Sequence, residues 1–312
     1  MFKKSYLLIV ALTLATFAIV GFAWSGTLPA SIIPDGVRWV AHLDMEKFVA
    51  TKLFEYLEKD GRLQIKDRDI TRMLKIDLFK DISGLTVFGV ETNRAHDLNS
   101  TAVFAAAGKF DKKRLLTLLS LDDNHREIPY GANLIYSTGN DKFGAFVNDG
   151  LIIFSESREA IEKVLDTAAG KGTNFASSKL SAAQKNIPAT AFVSGVVEDL
   201  AGLGKTIKQS KFVENAKMTF FLAQEKQDNL QIRLQAVADS PENAKNMSEI
   251  AQGLIAMFKL NRGEERSAVA SSILQGLRVN LEGSTVRLEL DLPSRDAANL
   301  MSHGRRLNSF FE

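Results

Sequence analysis

Residues 132–155 read ANLIYSTGNDKFGAFVNDGLIIFS, a stretch in which three apolar runs alternate with two tight-turn signals. The runs are 132–138, 143–148 and 151–155. Gly139-Asn140 and Asp149-Gly150 separate them, and such pairs are typical of the short loops that join antiparallel strands. The stretch therefore predicts three consecutive antiparallel strands.

Strand patterns continue on both sides of this stretch. In residues 286–292 every second residue is Val or Leu, and the residues between them are Arg, Glu and Asp. This alternation is typical of a strand with one buried and one solvated face. Glu282-Gly283 precedes it and predicts a hairpin with residues 277–281. Further strands are predicted at 37–43, 85–91, 101–109, 189–197, 218–224 and 230–238.

Helices are predicted between the strands, and most follow a residue suited to cap a helix N-terminus. A capping side chain accepts a hydrogen bond from a backbone N–H of the first turn. The predicted caps are Asp44, Asp111, Ser157, Ser240 and Ser294. One helix is predicted from Asp44 through Leu57, and others at 70–78 and 199–210. The clearest helical spacing follows Ser240-Pro241, in Met247, Ile250, Ala251, Leu254, Ile255 and Phe258.

The two halves of the chain resemble each other in three places that occur in the same order. Ile33-Pro34, a strand and Asp44 match Ile187-Pro188, a strand and Glu198; residues 85–88 match 218–221; and residues 157–160 match 294–297. Collinear matches favour an internal duplication. The predicted fold class is α+β, with two related ferredoxin-like lobes whose antiparallel sheets carry helices on one face.

The predicted organisation follows from this repetition and from shifts in composition. Residues 171–188 are rich in Gly, Ser, Asn, Lys and Ala, which is typical of a join between two halves. The predicted parts are an N-terminal signal peptide or membrane anchor at 1–26, a spacer at 27–34, a first lobe at 35–170, a linker at 171–188 and a second lobe at 189–312.

The N-terminus predicts export. Lys3 and Lys4 precede an uncharged run from Ser5 to Trp24 that is rich in Leu, Ile, Val, Ala and Phe. A short basic end followed by an apolar run is typical of a secretion signal. The run is long enough for a spanning helix, whereas Gly21-Phe22-Ala23 offers the small residues of a cleavage site. Both a retained anchor and a cleaved signal stay open, and either places the rest of the chain in the periplasm or at the outer face of the inner membrane.

Composition excludes several classes of function. Of the 39 basic residues two lie in the leader, which leaves basic and acidic residues equal at 37. A balanced charge disfavours a nucleic-acid binder. The chain has no cysteine, so neither disulfides nor thiolate ligands are available.

Candidate chemical motifs are incomplete. The segment 202–206, GLGKT, resembles the end of a phosphate-binding loop, but Asp199 occupies the position of the first glycine of that motif, so no nucleotide is expected. His42 and Asp44 lie on one strand face and are interpreted as structural. Ser194 lacks the flanking glycines of a nucleophile elbow. We predict no catalytic, cofactor-binding or metal-binding residues, and no cofactor; the acidic clusters at 67–69 and 122–123 are interpreted as solvated loops.

Three segments resemble a loosely defined group of exported bacterial tandem α+β proteins with one N-terminal hydrophobic segment and no known function: the opening segment 37–48, the second helix ending at Leu277, and the closing hairpin 288–292 with Pro293. The resemblance implies a fold and a location only. From the chain as a whole we expect a non-catalytic binding or structural role in the cell envelope, with a protein, glycan or lipid partner, and with the membrane contacted through the N-terminal segment. Phe104 and Phe154 fall on predicted strands and are interpreted as core residues. The terminal Phe310-Phe311 either packs across the lobes or meets a partner. The alternative is a hydrolase-like envelope enzyme whose site combines dispersed residues between the lobes.

Overall fold

We describe the fold from a computed structural model of the chain. The structure describes residues 28–61, 63, 76–90, 102–138, 142–184, 187–198, 216–260 and 268–307. Several sequence-based predictions lie outside these ranges: the leader at 1–26, most of the helix at 70–78, the helix at 199–210, the motif at 202–206, the cluster at 67–69 and Phe310-Phe311.

The described residues form twelve strands. They are β1 (Trp39–Asp44), β2 (Ile82–Gly89), β3 (Ala102–Gly108), β4 (Arg126–Tyr130), β5 (Asn133–Thr138), β6 (Lys142–Asn148), β7 (Leu151–Ser155), β8 (Ala191–Glu198), β9 (Ala216–Lys226), β10 (Asn229–Ala238), β11 (Leu277–Glu282) and β12 (Thr285–Pro293). The predicted strands are confirmed at their expected places, and β4 is an addition that sequence reasoning missed.

The described helices lie between these strands. They are α1 (Met45–Val49), α2 (Lys52–Lys59), α3 (Lys112–Leu119), α4 (Arg158–Ala168), α5 (Lys179–Gln184), α6 (Pro241–Leu260), α7 (Ala268–Gly276) and α8 (Ser294–Leu307), with a 3₁₀ turn at Phe175–Ser177. The prediction of one helix from Asp44 through Leu57 is wrong. Two helices occupy this segment because the Thr51 hydroxyl caps the second one, accepting from the Phe54 N–H at 3.0 Å.

Four of the predicted helix caps are confirmed. The side chains of Asp44, Asp111, Ser157 and Ser240 each accept a hydrogen bond from the backbone N–H three residues later, at 3.0, 2.9, 3.2 and 3.1 Å. These side chains satisfy donors that the first helical turn leaves without an internal partner. Ser294 differs, because its hydroxyl donates to the Glu225 carboxylate at 2.5 Å.

The chain divides into two compact units. Among the described residues, 28–48 and 76–187 form the N-terminal unit, whereas 49–63 and 188–307 form the C-terminal unit. Helix α2 therefore belongs to the unit that is built mainly from the second half of the chain.

In the N-terminal unit the strands lie in the order β1-β2-β3-β7-β6-β5-β4, and each neighbouring pair is antiparallel. One sheet face is buried, with Val40, Phe88, Val103 and Ile153 each fully enclosed. Helix α4 packs against β3, β6 and β7 and buries its own apolar stripe, Ile161, Val164 and Leu165.

In the C-terminal unit the order is β8-β9-β10-β12-β11, again antiparallel throughout. One face of this sheet is covered by α6. There Ala236 and Val286 of the sheet pack against Ala244, Met247 and Ala251 of the helix. The predicted apolar stripe of α6 is thus only partly buried. Ile250 and Leu254, which belong to this stripe, are 37% and 36% exposed.

The α+β class with antiparallel strands is confirmed. The ferredoxin-like arrangement is not confirmed, because a ferredoxin-like lobe places a third strand between the two strands of each β-α-β unit, whereas β1-β2-β3 and β8-β9-β10 lie side by side in chain order.

Candidate binding surface

His42, the histidine singled out in the sequence, lies on the buried face of β1. Its Nδ1 is 3.0 Å from the Thr86 hydroxyl, on the strand directly opposite. The crevice beside it, lined also by Pro29 and Leu151, has a volume of only about 10 Å³. Such a volume accommodates about one water molecule, whereas small-molecule sites measure several hundred Å³. His42 is therefore part of a packed interior.

The other residues considered in the sequence have local structural roles. Ser194 lies inside β8, opposite Leu222. The Asp122 carboxylate accepts from the Asn124 N–H at 2.8 Å, which closes a turn. Asp44 caps α1 and meets Lys47 Nζ at 2.8 Å. In the described ranges no group of three or more His, Asp or Glu side chains is placed to hold a metal ion.

The second face of the N-terminal sheet is apolar and open. Val87, Phe104 and Phe154 face one another in register across β2, β3 and β7. Phe104 is 46% exposed and Phe154 is 48% exposed. The interpretation of both phenylalanines as core residues is therefore wrong. We name Val87, Phe104 and Phe154 the aromatic sheet face.

A glycine lies beside the aromatic ring at two places on this side of the sheet. A Cβ on Gly144, which pairs with Phe154, would lie 3.1 Å from the Phe154 ring. A Cβ on Gly89 would lie 2.3 Å from the Trp39 indole nitrogen. Because neither glycine has a side chain, each ring can lie flat against the neighbouring strand, a known pairing in sheets. The Phe154 and Trp39 rings therefore each lie beside a glycine on this side of the sheet.

One end of this side of the sheet is covered by the chain itself. The Lys112 ammonium lies 5.0 Å from the centre of the Phe146 ring, which meets Tyr136 edge-on at 6.0 Å. His125 stacks on Tyr136 at 6.1 Å. Burial and the Glu127 carboxylate raise the pKa of Tyr136. The aromatic sheet face begins where this cover ends.

Charged residues border the aromatic sheet face. Phe143 of β6 pairs with Ser155 of β7. One residue further out, Lys142 of β6 and Glu156, which follows β7, lie on the same side of the sheet as Phe154. Both are exposed. An apolar centre with a rim of mixed charge is the usual anatomy of a protein–protein interface.

The corresponding face of the C-terminal unit is polar and satisfied internally. Gln224 Nε2 donates to Gln231 Oε1 at 3.0 Å, and Gln231 Nε2 donates to Asp291 Oδ2 at 3.2 Å. The Arg233 guanidinium donates to the Glu289 carboxylate at 2.8 Å. These side chains bond along the ladder of strands. The apolar N-terminal face has no equivalent network among the residues described.

The sequence held a weak signal for the aromatic sheet face. β3 reads AVFAAAG, so apolar residues occupy both of its faces. Such a run is typical of a strand buried on both sides, so it does not mark Phe104 as exposed. Only the pairing of β3 with β2 and β7 reveals which side lies open.

The chain is similar in structure to TP0453, a Treponema protein. With crystal form III of TP0453 the TM-score is 0.53 at 9% identity, over 89% of this chain and 98% of that chain. With crystal form IV the TM-score is 0.51 at 11% identity, over 89% and 97%. The likeness is one of fold. No protein-family model matches the sequence, and no curated protein sequence matches it.

Of the helices in the described ranges, none is both long and apolar enough to cross a membrane.

Proposed function

We propose that this chain is a non-catalytic binding protein of the cell envelope that takes up a protein partner on the aromatic sheet face. The observation that carries the proposal is the exposure of Phe104 and Phe154, 46% and 48%, in the middle of an ordered sheet. Exposed apolar patches on folded proteins mark interaction sites. Large aromatic side chains are also the residues that contribute most to binding energy in interfaces.

The chemistry of this surface favours a protein over a glycan or a single lipid. Ala106 and Ile152, which flank the two rings, provide no polar group that could orient sugar hydroxyls. A lipid-binding pocket would enclose most of an acyl chain, whereas Phe104 and Phe154 stand about half exposed on adjacent strands. The mixed charges of Lys142 and Glu156 at its border suit a partner protein with a polar rim of its own.

Export is the second part of the proposal. The basic start and the uncharged run from Ser5 to Trp24 support it. The body of the chain then lies in the periplasm or at the outer face of the inner membrane, either anchored or released. Cell fractionation together with mass analysis of the mature N-terminus tests this part: a new terminus near Trp24 indicates cleavage, an intact one indicates an anchor, and recovery of the chain in the cytoplasm contradicts export.

The third part is that the two lobes arose by duplication. When the β4–β5 hairpin is left out and the strands are numbered within each unit, β1-β2-β3-β7-β6 and β8-β9-β10-β12-β11 have the same order, 1-2-3-5-4. Asp44 and Glu198 end the first strand of each set, and Ser157 and Ser294 precede or begin the closing helices. The N-terminal unit then differs by one inserted hairpin, β4–β5. Superposition of the units that failed to align these residues would contradict a common origin.

A photo-crosslinking experiment tests the binding proposal. A benzophenone amino acid is placed at Phe104 in one variant and at Leu121, which is 73% exposed but lies off the sheet, in another. In cells we expect a discrete protein adduct from position 104 and none from position 121. In the variant with the probe at 104, Phe154→Thr keeps strand propensity, removes the neighbouring ring, and should reduce the adduct at least tenfold.

The outcomes separate the alternatives. Adducts of equal yield at both positions, or adducts only to glycan or lipid, would contradict a protein partner on this face. The enzymatic alternative stays a prediction. It would gain support from hydrolase activity of the purified chain that Phe104→Thr and Phe154→Thr leave unchanged.

A further inference from the structure

We propose that two copies of this chain associate through the outer edge of β11, pairing antiparallel about Asn280. β11 (Leu277–Glu282) pairs with β12, and no strand in the described part of the chain pairs with its other side. Arg278, Asn280 and Glu282 are exposed, and Leu281 is 45% exposed. An open edge of this kind is a template for another strand.

The turn that follows β11 determines which backbone groups point outward. Glu282 pairs with Thr285 across the two-residue loop Gly283-Ser284. Residues next to such a loop exchange hydrogen bonds, and bonded pairs alternate along antiparallel strands. Glu282, Asn280 and Arg278 therefore direct their N–H and C=O groups to β12, whereas Leu281 and Val279 direct theirs away. These outward groups are available to a second copy.

The charges on β11 select one register. When Asn280 lies opposite its own copy, Val279 pairs with Leu281 of the other copy, and these are the residues with outward backbone groups. The same register places Arg278 of each copy opposite Glu282 of the other, so the two-fold symmetric dimer contains two such charge pairs. Opposite charges directly across an antiparallel pair stabilise it. The sequence LRVNLE is thus complementary to itself when reversed.

The edge formed by β4 shows the contrast. Tyr130 pairs with Asn133 across another two-residue loop, so Pro129 holds an outward position in β4. Proline has no N–H to offer to an added strand, and it is a common way to block an edge. β11 contains no proline and no such block.

Helix α6 adds apolar area to the same association. It packs against β11 and β12 through its buried stripe, while Ile250, Leu254 and Met257 remain exposed, Met257 by 67%. A second copy that extends the sheet brings its own α6 to the same face. Strand pairing alone buries little surface, and stable interfaces need roughly 800 Å² from each partner. The exposed stripe supplies part of that area.

A single engineered cysteine tests the register in the full chain, which has no cysteine of its own. Asn280→Cys places the sulfur opposite its copy, at a Cα separation of about 4.5–5.5 Å, within the reach of a disulfide. Arg278→Cys is the matched control on the same face of the same strand. In this register residue 278 of one copy lies opposite residue 282 of the other, so the two residues 278 are four positions, or about 13 Å, apart along the strands. Mild oxidation should convert the first variant to a covalent dimer and leave the second monomeric.

A charge exchange provides a second, independent readout. Arg278→Glu and Glu282→Arg each place two like-charged pairs in the interface, so each should weaken self-association about tenfold or more in sedimentation. An equimolar mixture of the two variants restores opposite charges at both pairs and should associate as tightly as the unaltered chain. Crosslinking that is absent at position 280 or equal at both positions, or a mixture no tighter than its components, would overturn the proposal.

Discussion

Glu225 is a residue whose role no local pattern reveals. Its carboxylate accepts from the backbone N–H groups of Lys52 and Leu53, at 2.7 and 2.9 Å, and from the Ser294 hydroxyl at 2.5 Å. One side chain at the end of β9 therefore satisfies the first turn of α2 and the start of α8. A negative charge at a helix N-terminus also interacts favourably with the helix dipole.

Glu225→Gln should destabilise the chain by about 2 kcal/mol. The amide has one accepting oxygen and no charge, and hydrogen bonds to charged groups contribute about 1.5–3 kcal/mol each. Equilibrium urea unfolding, followed by far-UV circular dichroism, measures the loss. Glu249→Gln is the matched control, because Glu249 is exposed and makes only a 3.9 Å ion pair, so it should change stability by less than about 0.5 kcal/mol. Equal effects of the two variants would contradict the shared-acceptor role.

Tyr130 and Asp166 form a pair whose stabilising effect depends on pH. The Tyr130 hydroxyl donates to Asp166 Oδ2 at 2.8 Å. This hydrogen bond, with burial, raises the pKa of Tyr130 to about 12. Lys171, at 2.9 Å, and the same tyrosine lower the pKa of Asp166.

We expect a specific alkaline profile for Tyr130→Phe. The folded chain holds the tyrosine proton more tightly than the unfolded chain, so its contribution is complete below about pH 10 and is lost as pH rises from about 10 to 12. The difference in unfolding free energy between the unaltered chain and Tyr130→Phe should therefore be constant from pH 7 to 9 and shrink above pH 10. The Asp166 contribution has the opposite sign of pH dependence and is lost as pH falls through the lowered pKa of its carboxyl. A difference that stays constant up to pH 12 would show that the pair is not coupled.

At the scale of elements, the β9–β10 hairpin contains backbone strain in its turn, which residues better suited to positive φ would remove. Gln227 and Asp228 form its two-residue loop, and both have positive φ, 51° and 59°. Left-handed backbone costs an L-residue about 1 kcal/mol, and Asn-Gly is the pair that this turn favours. The Asp228 carbonyl accepts from the Ser294 N–H at 2.8 Å, so the turn also supports the start of α8.

Replacement of Gln227-Asp228 by Asn-Gly should stabilise the chain by about 1 kcal/mol. The backbone bond to Ser294 is kept, because it involves no side chain of the turn. Gly283→Ala is the opposite case, since Gly283 has a φ of 55° in the β11–β12 turn, and it should destabilise the chain by about 1 kcal/mol. Thermal unfolding of both variants measures the effects, and a destabilising Asn-Gly exchange would be inconsistent with this turn geometry.

At the scale of the whole molecule, the second lobe is not continuous in sequence. Helix α2 packs against α8, its Tyr56 ring lies 5.0 Å from the Arg295 guanidinium, and Leu53 is fully buried. A division at the predicted linker, 171–188, separates α2 from the unit into which it packs.

A fragment of residues 171–312 should therefore fold poorly on its own. It lacks α2 and leaves Glu225 without the two N–H donors of that helix. We expect a lower urea midpoint than for the full chain, and partial recovery when a peptide of residues 49–61 is added. A peptide of the same composition in scrambled order is the control. A fragment as stable as the full chain would contradict the assignment of α2 to the C-terminal unit.

Local patterns in the sequence were sufficient for much of the secondary structure. Turn pairs such as Asp149-Gly150 and caps such as Ser157 and Ser240 act on residues within three or four positions. Their effect can therefore be predicted from the local sequence. The boundary at Thr51 was missed because its capping competes with a continuous helical spacing. The repeated order of matches in the two halves was also read from the sequence alone, and an internal duplication stays a prediction.

The candidate binding surface required the tertiary structure. Phe104 and Phe154 look like core residues in sequence, because apolar runs do not state which side of a strand is covered. Whether a face is covered depends on elements packed from elsewhere in the chain, and the aromatic sheet face is exposed although its residues resemble those of the buried face. Glu225 caps a helix 172 residues away from it in sequence. Contacts over such distances depend on the folded arrangement of the strands and not on any local preference, and this is why the elements could be predicted from the sequence, whereas the exposed face could not.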